Sequence, residues 1–188
     1  MEHNYGRKTY DNSHSSVMQL AKRIRDVALL QGSFKLRSGV VTDQYFDKYL
    51  FESDPELLQA IVKHMSPLIP PGAEILAGLE MGGIPIVTAL SQLMNIPSAF
   101  IRKEVKLYGT CKFAEGPELL GKEVVLIEDV VSSGGAILDA LDNLRNIDVE
   151  PIAAVCVIDR QTGGQEKLAA AGIELFSVLK MEEILNAI

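Results

Sequence analysis

The chain has only two cysteines, three histidines and no tryptophan in 188 residues. Cys111 and Cys156 stand far apart, so they make neither a disulfide framework nor the paired spacing of a zinc site. His3, His14 and His64 are scattered without ligand spacing and receive no role. Long apolar runs are missing too: no stretch approaches the ~20 apolar residues of a membrane span. The polar segment 1–16 lacks the apolar core of a secretory signal, which leads to the expectation of a cytoplasmic protein. Positive charge is in deficit, 18 Lys and Arg against 25 Asp and Glu for a net −7. That balance argues against nonspecific nucleic-acid binding, which needs a basic surface. With no internal repeat and no Gly-, Pro- or Ser-rich linker, residues 1–188 are expected to form one domain.

What is present is alternation. Residues 1–14 read as a flexible tail, after which Ser15 or Ser16 can cap a helix. That helix carries Val17, Leu20, Ala21, Ile24, Val27 and Ala28 on one face, with Gly32 as its stop. Residues 34–50 hold two extended stretches around Gly39, a hairpin or bent strand pair. Asp54, Pro55 and Glu56 then supply a cap, a proline at the first helical position and a capping-box glutamate for a helix ending before Pro67. From residue 74 onward short apolar strands alternate with helices: 74–77, 97–101, 123–127, 152–158 and 173–178 read as strands. The class expected is α/β, a parallel sheet flanked by helices.

The run 124–136, VVLIEDVVSSGGA, carries the chemistry. Val124 to Ile127 read as a buried parallel strand, and Glu128 and Asp129 stand at its carboxyl end, where open α/β sheets bind ligands. Ser132, Ser133, Gly134 and Gly135 form a turn whose amides can approach a phosphate, with a helix beginning near Ala136. Acids beside an anion cradle make sense for a ligand with both hydroxyls and phosphate. A ribose 5-phosphate fits.

Three further segments bear on it. Residues 78–85, GLEMGGIP, make a second strand-to-helix turn able to face an anion through Gly82 and Gly83, or simply to turn tightly. Arg102, Lys103 and Lys106 lie in a basic, glycine-containing loop that follows a strand, either an ordinary solvated face or a lid over a leaving group. Arg160 can pair with a substrate carboxylate, or with its neighbour Asp159 at the surface. Arg37, Tyr45 and Phe46 offer a cation and two rings suited to a flat anionic base, or to a hairpin core.

Together LRSG…YFD, GLEMGGIP, RKEVKLYG, IEDVVSSGG and IDRQTGG, spanning residues 32–164, resemble the orotate branch of the type I phosphoribosyltransferases. The resemblance implies a type I phosphoribosyltransferase-like parallel sheet flanked by helices, with a small N-terminal hood at about 15–52. It also implies transfer of the phosphoribosyl group from phosphoribosyl diphosphate (PRPP) to orotate. Glu128 and Asp129 would then hold the ribose hydroxyls, and Val130, Val131, Ser132, Ser133, Gly134, Gly135 and Ala136 would surround the 5′-phosphate. Gly82, Gly83, Arg102, Lys103 and Lys106 would serve the diphosphate, with Lys103, Lys106 and Asp129 as catalytic groups. Ser132, Arg160, Arg37, Tyr45 and Phe46 would contact orotate. Mg²⁺ would arrive held mainly by PRPP, with no metal-ligating side chains, and a homodimer would place the basic loop over the neighbouring subunit's site. Three residues depart from the family pattern: Gly82 and Arg37 stand where lysine is frequent, and Tyr108 where histidine is frequent. The rival expectations are a purine-type phosphoribosyltransferase and a PRPP-sensing regulator without turnover.

Overall fold

The structure is a computed structural model that describes residues 12–35, 39–103 and 113–188. The chain opens with α1 (Asn12–Ala28), a hairpin of β1 (Leu29–Lys35) and β2 (Val41–Phe46), and the short helix α2 (Lys48–Ser53). Helix α3 (Pro55–Met65) and a single 3₁₀ turn lead into β3 (Ile75–Leu79), α4 (Gly83–Met94) and β4 (Ser98–Ile101). There follow β5 (Ala114–Glu115), β6 (Val124–Val131), α5 (Gly135–Arg145), β7 (Ala153–Asp159), α6 (Gly164–Ala170), β8 (Leu175–Lys180) and α7 (Met181–Asn186).

Strands β3 and β7 are buried at every position, and β6 at all but one, as unbroken apolar strands covered on both faces must be. They lie inside a six-stranded sheet of order β5-β4-β3-β6-β7-β8, parallel except for the edge strand β5. Successive strand residues point to opposite faces. Val125 and Ile127 therefore join the core under α1, α3, α4 and α7, while Val124 and Leu126 join the core under α5 and α6. The register Gly78↔Ile127 brings the carboxyl ends of β3 and β6 side by side. No helix among the described residues is long and apolar enough to cross a membrane.

Several local expectations are corrected. Helix α1 already runs at Asn12, so Ser15 and Ser16 lie within it. It ends at Ala28, ahead of Gly32, because Leu29 enters the ladder opposite Phe46 and Gly32 becomes part of β1. Its buried face, Leu20, Ala21, Ile24 and Ala28, belongs to the main core. Glu56 makes no capping box: Asp54 accepts hydrogen bonds from the Glu56 and Leu57 amides, a cap worth about 1 kcal/mol, while Glu56 turns toward Arg23. The segment after β4 returns as the edge strand β5, and α2 stands where only hairpin was expected.

Candidate active site

The chain leaves β3 for β4 on one side of the sheet and leaves β6 for β7 on the other. Between such diverging connections a crevice opens at the strands' carboxyl ends. Both glycine turns end there. After β6, Ser132 and Ser133 lead to Gly134, which caps α5 with φ +77°, a left-handed conformation that a side chain resists. Gly164 packs so tightly beneath that a Cβ on it would come within 2.5 Å of the Ser132 carbonyl. A cavity of about 200 Å³ opens over Glu128, Ser132, Ser133, Gly134, Gly135 and Ala136, at the positive end of α5.

β6 runs through Val131, so Glu128 and Asp129 sit within the strand, and both are buried. The Glu128 carboxylate accepts from the Asp129 amide at 3.0 Å, and Asp129 accepts from the Val130 amide. Helix α2 supplies two groups that the motif alone does not announce. Asp47 caps this helix through the Tyr49 amide, and Lys48 and Glu52, one turn apart, share a face. Lys48 Nζ lies 2.5 Å from Asp129 Oδ2, a pairing of charge without an aligned hydrogen bond, and buried Glu52 Oε1 finds no aligned donor.

Buried carboxyls this close cannot all ionise. Burial, then Asp129, pushes Glu128 well above the ordinary carboxylate range. The same causes push Glu52 up to about 9. Burial opposes the Asp129 charge as well, but the facing Glu128 and Glu52 carboxyls and then the Lys48 ammonium outweigh it and hold Asp129 below its usual value. Lys48 stays charged against its burial because Asp129 and then Glu128 face it. Of the three carboxyls Asp129 is the one whose charge is favoured here, and Lys48 is the cation that faces it.

The second turn, Glu80 to Gly83, lies across the crevice and precedes α4; its Glu80–Met81 peptide is cis. A Cβ on Gly82 would fall 1.5 Å from Asp129 Oδ2 and 2.9 Å from Glu52 Oε1, so this position admits no side chain. Glu80 accepts from the Lys103 amide at 3.1 Å, tying the turn to the foot of the basic loop. The Arg102 guanidinium donates to Glu115 at 3.1–3.2 Å, so its fork is engaged along the sheet edge. A cavity of about 370 Å³ joins Glu80, Arg102, Lys103, Phe113, Gly135 and Asp139.

Arg160 is exposed at the rim, and its amide donates to the Val131 carbonyl at 2.8 Å, which fixes it beside the end of β6. Asp159 is buried and accepts from the Gln161 amide, and no Asp159–Arg160 ion pair forms among the described residues. Tyr45 and Phe46 are consecutive strand residues and face opposite ways. Tyr45 is exposed against Phe34, whereas Phe46 packs on Phe51 at the core. Arg37, Lys106 and Tyr108 lie outside the described residues.

Residues 56–178 match the family model described as the phosphoribosyl transferase domain. The orotate phosphoribosyltransferase of Nocardioides sp. is 48% identical over 165 residues, covering 88% of this chain and 92% of that protein. The chain belongs to the orotate phosphoribosyltransferase family. That of Methanocella arvoryzae is 39% identical over 82% of this chain and 89% of its own length. The crystal structure of the Mycobacterium tuberculosis H37Rv orotate phosphoribosyltransferase superposes with a TM-score of 0.79 at 27% identity, covering 90% and 98% of the two chains. The sheet and flanking helices are thus those of the orotate phosphoribosyltransferases, and the two-stranded β1–β2 sheet is the small N-terminal addition expected.

Proposed function

We infer that this enzyme transfers the 5-phosphoribosyl group of PRPP to N1 of orotate, giving orotidine 5′-monophosphate and diphosphate in pyrimidine biosynthesis. One observation carries the reading: two buried acids and an amide-lined anion turn occupy the end of one strand, with a second glycine turn at the end of its neighbour. A sugar phosphate bearing a diphosphate at its other end has that same polarity. Residues 1–188 then act as one phosphoribosyltransferase domain, with about 15–52 supplying the hood, in the cytoplasm.

Asp129 and Glu128 take the ribose hydroxyls, and the amides from Val130 to Ala136 take the 5′-phosphate. The glycosidic bond to diphosphate loosens before orotate is fully bonded, leaving an oxocarbenium-like sugar. Negative charge then grows on the leaving group, and Lys103, Lys106 and Arg102 stabilise it more than they stabilise bound PRPP. Arg102 must leave Glu115 to take part, which suits a contact made only when the site is filled. Gly82 and Gly83 offer diphosphate backbone amides. Orotate lies between Ser132, Arg160, Arg37 and Tyr45, its carboxylate on an arginine fork; Phe46 supports this wall from the core side.

Mg²⁺ enters as part of the PRPP complex. The protein works as a homodimer in which the basic loop serves the neighbouring site.

The test is diphosphate release from PRPP with orotate, hypoxanthine, xanthine or adenine. Release with orotate alone supports the reading. Release with a purine instead points to a purine-type enzyme, and PRPP binding without release from any base points to a sensor.

A further inference from the structure

Lys48 belongs to no motif, yet it is the cation that reaches the ribose acids. It comes from α2, outside the sheet, and its side chain is one-third exposed at the crevice mouth while its ammonium meets a carboxylate that is 1% exposed. The diphosphate turn cannot offer a cation at the same place, because the Asp129 carboxylate occupies the volume above the Gly82 Cα. We propose that Lys48 is a positioning residue for phosphoribosyl transfer: its ammonium pairs with the Asp129 carboxylate and keeps it turned toward the ribose hydroxyls, making the hood helix part of the PRPP site.

The groups facing Asp129 are few. Glu128 lies on its own strand, and Lys48 and Glu52 come from α2. The turn before α4 presents Gly82, and neighbouring β7 presents the buried Cys156 thiol, which burial keeps neutral. Lys48 is therefore the one cation facing this carboxylate among the described residues. An ionised carboxylate accepts hydrogen bonds from two vicinal hydroxyls, whereas a protonated one gives up part of that acceptor capacity. Without Lys48, Asp129 would lose its facing cation and hold its proton to a higher pH than in the unaltered chain. PRPP affinity would drop while the orotate contacts stay intact.

The inference rests on the orotate reaction proposed above, and two measurements separate the two claims. Orotate-dependent diphosphate release by the unaltered chain tests the reaction. Calorimetric PRPP binding and PRPP and orotate KM values across pH test Lys48. Lys48→Met should raise the PRPP KM at least tenfold at neutral pH and leave the orotate KM within twofold. It should also move the acid limb of the PRPP profile upward by at least one pH unit. Lys48→Arg should restore most of both losses, which guards against simple misfolding of the methionine variant. A PRPP KM within twofold of wild type would overturn the proposal. So would equal rises in both KM values with an unmoved acid limb, since that marks a merely structural lysine. If the unaltered chain turns over no orotate, the reaction fails; PRPP binding by the two variants still judges Lys48.

Discussion

The Asp129 carboxylate fills the space that a side chain on Gly82 would need, its Oδ2 lying 1.5 Å from the position a Cβ would take. A strand and a turn distant in sequence are thereby fitted to each other. Glycine at 82 is required by this approach, although its own backbone is an ordinary right-handed one with φ −68°. Gly82→Ala must push Asp129 or the turn aside, and overpacking of this kind costs about 1–3 kcal/mol. A displacement of about 1 Å at reacting groups is enough to lower rates by about 10²-fold. PRPP kcat/KM should fall by that order, with a lowered Tm, and kinetics within threefold of wild type would refute the fit.

Glu52 makes a separate prediction about stability. Its carboxyl holds its proton up to about 9 in the folded chain, against 4.5 when unfolded, chiefly because it is buried and next because it faces Asp129. Between those values the folded state binds more protons than the unfolded one, so this group's contribution to stability declines as pH rises. Glutamine has the shape of the protonated acid and does not titrate. Thermal melts of Glu52→Gln should therefore gain on wild type steadily from about pH 5 to about pH 9. A constant difference over that range would show that Glu52 is ionised throughout.

How far the sequence revealed this site depends on the range of each contact. Glu128, Asp129 and the turn to Ala136 are consecutive, and an apolar strand followed by acids, hydroxyls and glycines is legible because neighbours in sequence remain neighbours in space. The α/β class was legible for the same reason: Val124 to Ile127 and Ala153 to Ile158 are too uniformly apolar for anything but buried strands. Lys48 and Glu52 left no such trace. Their helix has six residues, too short for a periodic pattern, and their partner lies on a strand whose position only the tertiary fold decides. The Asp47 cap was the local hint available, since an Asp before a helical pair marks a start. For Tyr45 and Phe46 two uses were open, a wall for a flat base or a hairpin core, and strand geometry divides them by leaving Tyr45 exposed and packing Phe46 on Phe51.

Arg160 should govern the base and spare the sugar. Its amide is held by the Val131 carbonyl, while the exposed guanidinium has no ion-pair partner among the described residues. A charge-assisted fork to a carboxylate contributes about 1.5–3 kcal/mol, so Arg160→Ala should raise the orotate KM by about 10- to 100-fold. The PRPP Kd should stay within twofold. A variant that binds PRPP poorly but orotate normally would move Arg160 out of the base site.

The dimer prediction follows from dividing the chemistry between two subunits. If the proposed role holds, Lys106→Ala should cut turnover far more than PRPP affinity, because a lysine on the leaving group acts on charge that appears as the bond breaks. On the proposed roles, Asp129→Asn should instead weaken PRPP binding, because it removes the charge assigned to the ribose hydroxyls. If the basic loop serves the neighbouring site, a mixed dimer of the two variants has one site with both defects and one with neither. Equal mixing pairs unlike subunits half the time, so about a quarter of wild-type activity should return on reassociation of two nearly inactive proteins. A loop acting on its own subunit leaves every site with one defect, and mixing would then recover nothing beyond the sum of the parents.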